Sequence, residues 1–270
     1  MTRKLPLRFV KFLPLLVLLF GIAAASLESA DASEKKPYSE VFPSLNEVVS
    51  MSRLSSLVYK FRNDSNFTCV DFPSTPKKHT EDISCEWYLH DYLLGTQVLL
   101  VSNKKERYIA VVFAGTDNIR TSLEDADILT KPFGNNSTVR LHDDTDPRYK
   151  QVKVHGGFNN AVFTDKIWEQ IYEQTQDLLE QYPSYRLWTT GHSLGAANAM
   201  LTATAFASLN HDRKVLSVNF GCPQTGNSYW REYFNATSPL TDNLGIWRVV
   251  LAWDLVARLP EFFYRKHYHT

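Results

Sequence analysis

The stretch TTGHSLGAAN, residues 189–198, sets Ser193 between Gly191 and Gly195 at the end of an apolar run. A serine hydroxyl in such a place suits nucleophilic attack on an acyl carbon. That chemistry needs a base to take the hydroxyl proton, an acid to orient the base, and N–H donors for the oxyanion. A strand that turns abruptly into a helix around Gly-x-Ser-x-Gly exposes the serine at the sheet's carboxyl edge, and side chains at the two glycines would collide with strand and helix. "RLWTT" supplies the strand and "LGAANAMLTATAFASL" a helix of small residues. The helix N-terminus adds partial positive charge and free N–H groups near a developing oxyanion. The bland alternative is an ordinary glycine-bounded turn.

The elements that must position this serine are legible around it. "YRLWTT" and "VLSVNFG" read as strands flanking a helix that runs from just after Ser193 to about Leu209, which makes a βαβ unit. Such a unit requires a parallel sheet with helices on both faces. "TQVLLVS" and "RYIAVVFAG" read as a hairpin or neighbouring strands, and "IWRVVLA" as a further strand. Leu45, Val48, Val49, Leu54, Leu57 and Val58 recur at helical spacing, and a second long helix is expected from Phe158 to Tyr182, closed by Pro183. The fold class is therefore α/β, with a mostly parallel central sheet.

Composition agrees with one such domain. The chain has 270 residues, 44% of them hydrophobic, and a formal net charge of zero. With no basic block in its body there is no electrostatic reason to expect a nucleic-acid partner. Arg3, Lys4, Arg8 and Lys11 precede the apolar run FLPLLVLLFGIAAA, and small residues follow at Ala23 and Ala25 or at Ala30 and Ala32. This reads as a secretory signal over residues 1–25, with cleavage as late as 32 and a single domain over 26–270; an uncleaved anchor helix is the alternative. Cleavage after Ala25 removes the four basic residues and no acidic ones, which leaves a mildly acidic secreted protein without a stable membrane anchor. Sequons begin at Asn63, Asn66, Asn135, Asn136 and Asn235. Cys69 and Cys85 flank a polar loop that a disulfide could close, whereas Cys222 has the surroundings of a buried thiol. No cysteine pair has metal-ligand spacing, and no metal is expected.

Five segments in order, VVFAGTDNIRTSLEDADI, VHGGF, TTGHSLGAA, FGCPQTGN and RVVLAWDLVARLP, resemble the class 3, or fungal-type, lipase family of α/β hydrolases. The resemblance spans roughly residues 98 to 270. It implies Ser193 as nucleophile, Asp254 as triad acid, the backbone N–H groups of Thr116 and Leu194 as oxyanion hole, and no cofactor. Asp254 follows the strand IWRVVLA directly and comes after the serine, as the Ser, acid, His order of this fold requires, though it could instead cap a helix. Thr116 ends the run YIAVVFAG at a strand-to-loop exit, where a plain turn residue is the alternative. The resemblance places a lid downstream of Thr116, where Ile119, Leu123, Ile128 and Leu129 are the bulky apolar residues. His155 of VHGGF is expected to be structural.

The base is the difficulty. The histidines are His79, His90, His142, His155, His192, His211, His267 and His269. His192 neighbours the serine but is expected to point away from it. Only His267 and His269 follow Asp254. By the resemblance, His269 matches a structural histidine shortly beyond the RLP motif, while the catalytic one lies a few dozen residues further on. The expectation is thus a chain whose C-terminal part is missing, or else a complete chain that uses His269 or His267. Two functions follow: a secreted carboxylic-ester hydrolase acting on lipid esters, at a lipid–water interface or in solution, or a secreted glycoprotein of the same fold that binds lipid or a protein partner without turnover. Pocket and lid chemistry would decide between triacylglycerol, phospholipid and small-ester substrates. Oligomeric state is not legible.

Overall fold

The computed structural model describes residues 42–61, 82–116, 130–135, 139, 141, 149–164, 166–210, 212–235, 243–251, 254 and 256–258. The chain divides into two compact units, Met1–Glu47 and Val48–Thr270. In the first, Ser44 Oγ accepts the Glu47 N–H at 3.3 Å while the Glu47 carboxylate accepts the Ser44 N–H at 2.7 Å, a reciprocal cap that starts helix α1 (Leu45–Phe61).

The second unit is built on a six-stranded sheet. Its strands are β1 (Ile83–Asp91), β2 (Thr96–Asn103), β3 (Tyr108–Phe113), β6 (Arg186–His192), β7 (Val215–Phe220) and β8 (Leu244–Val249), side by side in that order. Strands β3, β6, β7 and β8 pair in parallel, and β2 is antiparallel to both β1 and β3. Five of the six strands therefore point the same way, and the mostly parallel sheet inferred from the βαβ pattern is present. The edge strand β1 was not among the expected elements. Its residues are mostly half-buried and the ladder is irregular between Cys85 and Trp87, so it lacks a clean alternation. A separate two-stranded ribbon pairs β4 (Thr130–Pro132) with β5 (Lys153–His155).

Helices cover both faces, and two adjacent threonines of β6 show it. Thr189 Oγ1 donates to the Ala199 carbonyl of helix α4 (Leu194–Leu209) at 2.9 Å, whereas Thr190 Oγ1 meets Ser55 Oγ of α1 at 3.0 Å. Successive side chains of a strand point to opposite faces, so α4 and α1 lie on opposite sides. Every α4 side chain from Gly195 to Ser208 is buried. Its small residues let it sit close against the sheet, with Phe206 packed on Trp168 and Tyr172 at ring separations of 5.1 and 5.8 Å.

The single helix expected from Phe158 to Tyr182 is instead two, α2 (Gly156–Phe163) and α3 (Ile167–Gln181). Thr164 is extended and its hydroxyl bonds back to the Asn160 carbonyl at 2.5 Å, while Lys166 takes a left-handed conformation with φ of 61°. Local side-chain bonding of this kind competes with the helical ladder, and hydrophobic spacing cannot report it. The last helix, α5 (Ser228–Asn235), follows β7. Cys222 is a free, buried thiol, as its sequence context suggested, and burial pushes its pKa up.

Candidate active site

Strand β6 ends at His192 and α4 begins at Leu194, so Ser193 alone makes the turn. Its backbone has φ of 59° and ψ of −128°, a region that non-glycine residues rarely occupy. Two hydrogen bonds hold it there. The Ser193 N–H donates to the Phe220 carbonyl of β7, and the Ala196 N–H donates to the Ser193 carbonyl, both at 2.9 Å. A Cβ at Gly191 would overlap the Gly195 carbonyl, and one at Gly195 would lie 2.5 Å from the Phe113 carbonyl oxygen. The Gly-x-Ser-x-Gly spacing is thus a steric requirement: strand, helix and the end of β3 converge where no side chain fits. Ser193 is 1% exposed, and its Oγ makes no hydrogen bond to the described residues.

The exit of β3 comes up beside this turn. At Gly115 an added Cβ would lie 3.2 Å from the Ser193 Cβ and 2.5 Å from the His192 carbonyl oxygen. The next residue, Thr116, is half-buried. Gly115 donates its N–H to the Tyr59 hydroxyl at 2.9 Å, so that amide is occupied. Leu194, the other expected oxyanion donor, is the first residue of α4.

Asp254 lies beyond β8 at the same carboxyl edge. Its N–H donates to the Leu251 carbonyl at 3.0 Å and its Oδ1 accepts the Val256 N–H at 2.9 Å, which fixes the carboxylate ahead of a short 3-10 helix, Val256–Arg258. It therefore also caps that short helix. Its Oδ2 hangs over Gly221, 2.8 Å from where a Cβ would stand, and the His192 ring lies 3.8 Å from the same point on its Nε2 and Cδ2 side. Gly221 has φ of 58°, so the residue after β7 both turns the chain and leaves room for the carboxylate.

His192 is held from two sides. Its Nδ1 stands 3.3 Å from the Tyr59 hydroxyl, and its other edge faces the Asp254 carboxylate over Gly221. Burial lowers its pKa, and the nearby Asp254 charge raises it by a smaller amount. The imidazole is therefore neutral near pH 7 and is engaged with Tyr59. Sequence reading missed Tyr59. The available signal was its place four residues beyond Ser55 on an inward helix face, a tyrosine where an apolar residue would do. His155 is buried at the end of β5 and stacks on Phe158 with ring centroids 4.3 Å apart. His267 and His269, the lid residues Ile119, Leu123, Ile128 and Leu129, and Cys69 lie outside the described residues.

The structure thus brings Ser193, the Gly115–Thr116 exit, Leu194 and Asp254 to one sheet edge. Residues 110–264, more than half of the chain, match the family model described as lipase (class 3). The chain belongs to the class 3 lipase family. Among curated relatives, it is 41% identical over 76 residues to the secreted mono- and diacylglycerol lipase LIP4 of Malassezia restricta, covering 28% of this chain and 25% of that protein. It is 25% identical over 186 residues to a lipase of Rhizomucor miehei, covering 67% of this chain and 45% of that protein. The chain spans less than half the length of these class 3 lipase relatives. Among solved structures, lipase II from Rhizopus niveus superposes with a TM-score of 0.64 at 21% identity, over 83% of this chain and 78% of that one. The lipase from Rhizopus microsporus var. chinensis gives 0.65 at 21% identity, over 84% and 73%. These likenesses show the α/β-hydrolase fold.

Proposed function

We propose that this class 3 lipase-family protein is a secreted serine carboxylic-ester hydrolase acting on lipid esters, with residues 26–270 belonging to one catalytic domain. The observation that carries the reading is Ser193: a strained, buried turn residue whose hydroxyl has no partner among the described residues and which shares the sheet edge with Asp254. In the reaction, Ser193 Oγ attacks the ester carbonyl carbon while an imidazole takes its proton. The N–H groups of Thr116 and Leu194 bind the oxyanion, and Asp254 orients the imidazole and stabilises its protonated form. Collapse of the tetrahedral intermediate expels the alcohol, which receives the proton, and leaves the acyl group on Ser193. Water attacks the acyl-enzyme in the mirror of these steps and releases the acid.

The imidazole must follow Asp254 in the chain, and within this sequence His267 and His269 do so. His192 does not suit the role, because its Nδ1 is engaged with Tyr59 and its other edge faces Asp254. Secretion is supported by the apolar leader, by Cys85 being disulfide-bonded, which fits closure of the loop back to Cys69, and by the likeness to a secreted Malassezia lipase. The substrate class rests on mono- and diacylglycerol and triacylglycerol lipases among its relatives and structural neighbours.

The test is hydrolysis of short and long p-nitrophenyl esters by the purified protein, beside Ser193→Ala, Asp254→Asn, His267→Ala and His269→Ala. Ser193→Ala is expected to abolish turnover, and Asp254→Asn to lower kcat by several orders of magnitude. Hydrolysis that persists in Ser193→Ala overturns the reading, and the histidine variant that silences the enzyme identifies the base.

A further inference from the structure

Among the described residues of the unit Val48–Thr270 the large apolar side chains are buried or half-buried, with four exposed exceptions. Tyr92, Leu93 and Leu94 are 85%, 90% and 38% exposed, and Val250 is 44% exposed. Their placement is not scattered. Strand β1 runs in the same direction as β3, β6, β7 and β8, so the turn that follows it, Tyr92–Gly95, leaves the sheet at the carboxyl edge, the edge of Ser193. Register confirms the level: Asp91 pairs with Thr96, and the next residue of β2, Gln97, accepts the N–H of Ala114, one residue before Gly115. Val250 follows β8 directly, at the same edge and the opposite end of the sheet. With strands about 4.8 Å apart, the two apolar points stand roughly 25 Å from each other with Ser193 between them.

The hairpin tip is also stiff. Asp91 Oδ1 accepts the N–H groups of Leu93 and Leu94 at 2.9 and 2.8 Å, Gly95 takes φ of 67°, and the Tyr92 ring packs on His90 at a centroid distance of 3.9 Å. Three bulky apolar side chains are thus held outward on a turn that carries no charge between Tyr92 and Gly95.

We infer that the Tyr92–Leu94 hairpin tip is a lipid-surface anchor that docks the Ser193 edge of the sheet on an aggregated lipid substrate. The occupant is a lipid surface rather than a protein. A tip of three residues is far smaller than the roughly 800 Å² per partner that a stable protein interface buries, and a second apolar point on the far side of the site suits an extended surface. Leucine and tyrosine are also the residues that enter the boundary between acyl chains and headgroups, where tyrosine keeps its hydroxyl wet. Rigidity lowers the entropy lost on insertion. The inference rests on the lipid-ester reading above and deepens it, since docking at this edge brings the substrate to the serine.

The experiment separates the two. Purified full-chain protein is mixed with vesicles of dioleoylphosphatidylcholine containing dioleoylglycerol, and partition is measured by co-sedimentation for the parent and for Leu93→Asp and Leu93→Ser/Leu94→Ser. The parent is expected to partition onto vesicles, and the variants roughly tenfold less or weaker still, with thermal melting unchanged for Leu93→Asp, whose parent side chain is 90% exposed. In parallel, Leu93→Trp should shift its emission to the blue on vesicle addition and be quenched by brominated acyl chains. Parent-like partition of both apolar-to-polar variants, or a tryptophan that stays in water, overturns the anchor. Partition needs no turnover, so a protein that docks through the tip yet hydrolyses no ester sinks the functional reading and leaves the anchor standing.

Discussion

Thr189 and Ser193 stand four residues apart, each with a buried hydroxyl, and the structure treats them in opposite ways. Inside strand β6, Thr189 Oγ1 donates to the Ala199 carbonyl and meets Ser217 Oγ at 2.7 Å, on a backbone of ordinary extended geometry. At the turn, the Ser193 hydroxyl has no partner among the described residues and its backbone is forced to positive φ. A buried hydroxyl without a partner costs about 1–3 kcal/mol, and an unfavourable backbone region a similar amount. The interior of the sheet and α4 offsets what the turn holds in reserve, which is the pattern expected where a group is kept available for a ligand.

Truncations in the two regions should therefore differ in sign. In the interior, Phe206→Ala removes a ring enclosed by Trp168 and Tyr172, and a loss of about 3–5 kcal/mol is expected in urea unfolding. A loss below about 1 kcal/mol would mean that α4 packs less rigidly than described. At the turn, Ser193→Gly removes the unpartnered hydroxyl and the positive-φ strain together. Stability should rise by about 1–2 kcal/mol while ester hydrolysis disappears. If that variant is less stable than the parent, the strain attributed to Ser193 is wrong.

The smallest effect concerns His192. Its folded pKa lies below its unfolded value of 6.5, mainly because of burial, so the unfolded chain binds the proton more readily. Its contribution is complete above about pH 6.5 and declines as pH falls toward the folded pKa. His192→Gln should flatten the stability profile in that acid window, a difference readable from unfolding midpoints taken across it. Identical slopes in parent and variant would place the acid-labile proton elsewhere.

What could be read from the sequence follows the same division. The strands, the helix from Leu194 to Leu209 and the two glycines around Ser193 were legible because their constraints are local: apolar runs, small residues, and a spacing that sterics demand. The break at Thr164–Lys166 was not, because a side chain bonding back to Asn160 leaves the hydrophobic period intact. Strand β1 was hidden by its half-exposed edge position and its irregular register. The placement of Ser193 and Asp254 at one sheet edge could be read from motif and order. Tyr59 could not, since its contacts to Gly115 and His192 cross 56 and 133 residues of chain. Helical spacing could set Tyr59 on an inward face, but pattern within a window does not say which residues it meets.

Tyr59 has one more consequence, for how the chain can be trimmed. The matched family core begins at residue 110, yet the phenol that receives the Gly115 amide comes from a helix well before it. A minimal version cut to that core would leave the amide beside the serine without its acceptor. The working boundary of this domain therefore lies upstream of Tyr59, and shortening the chain past that residue would detune the very loop it was meant to preserve.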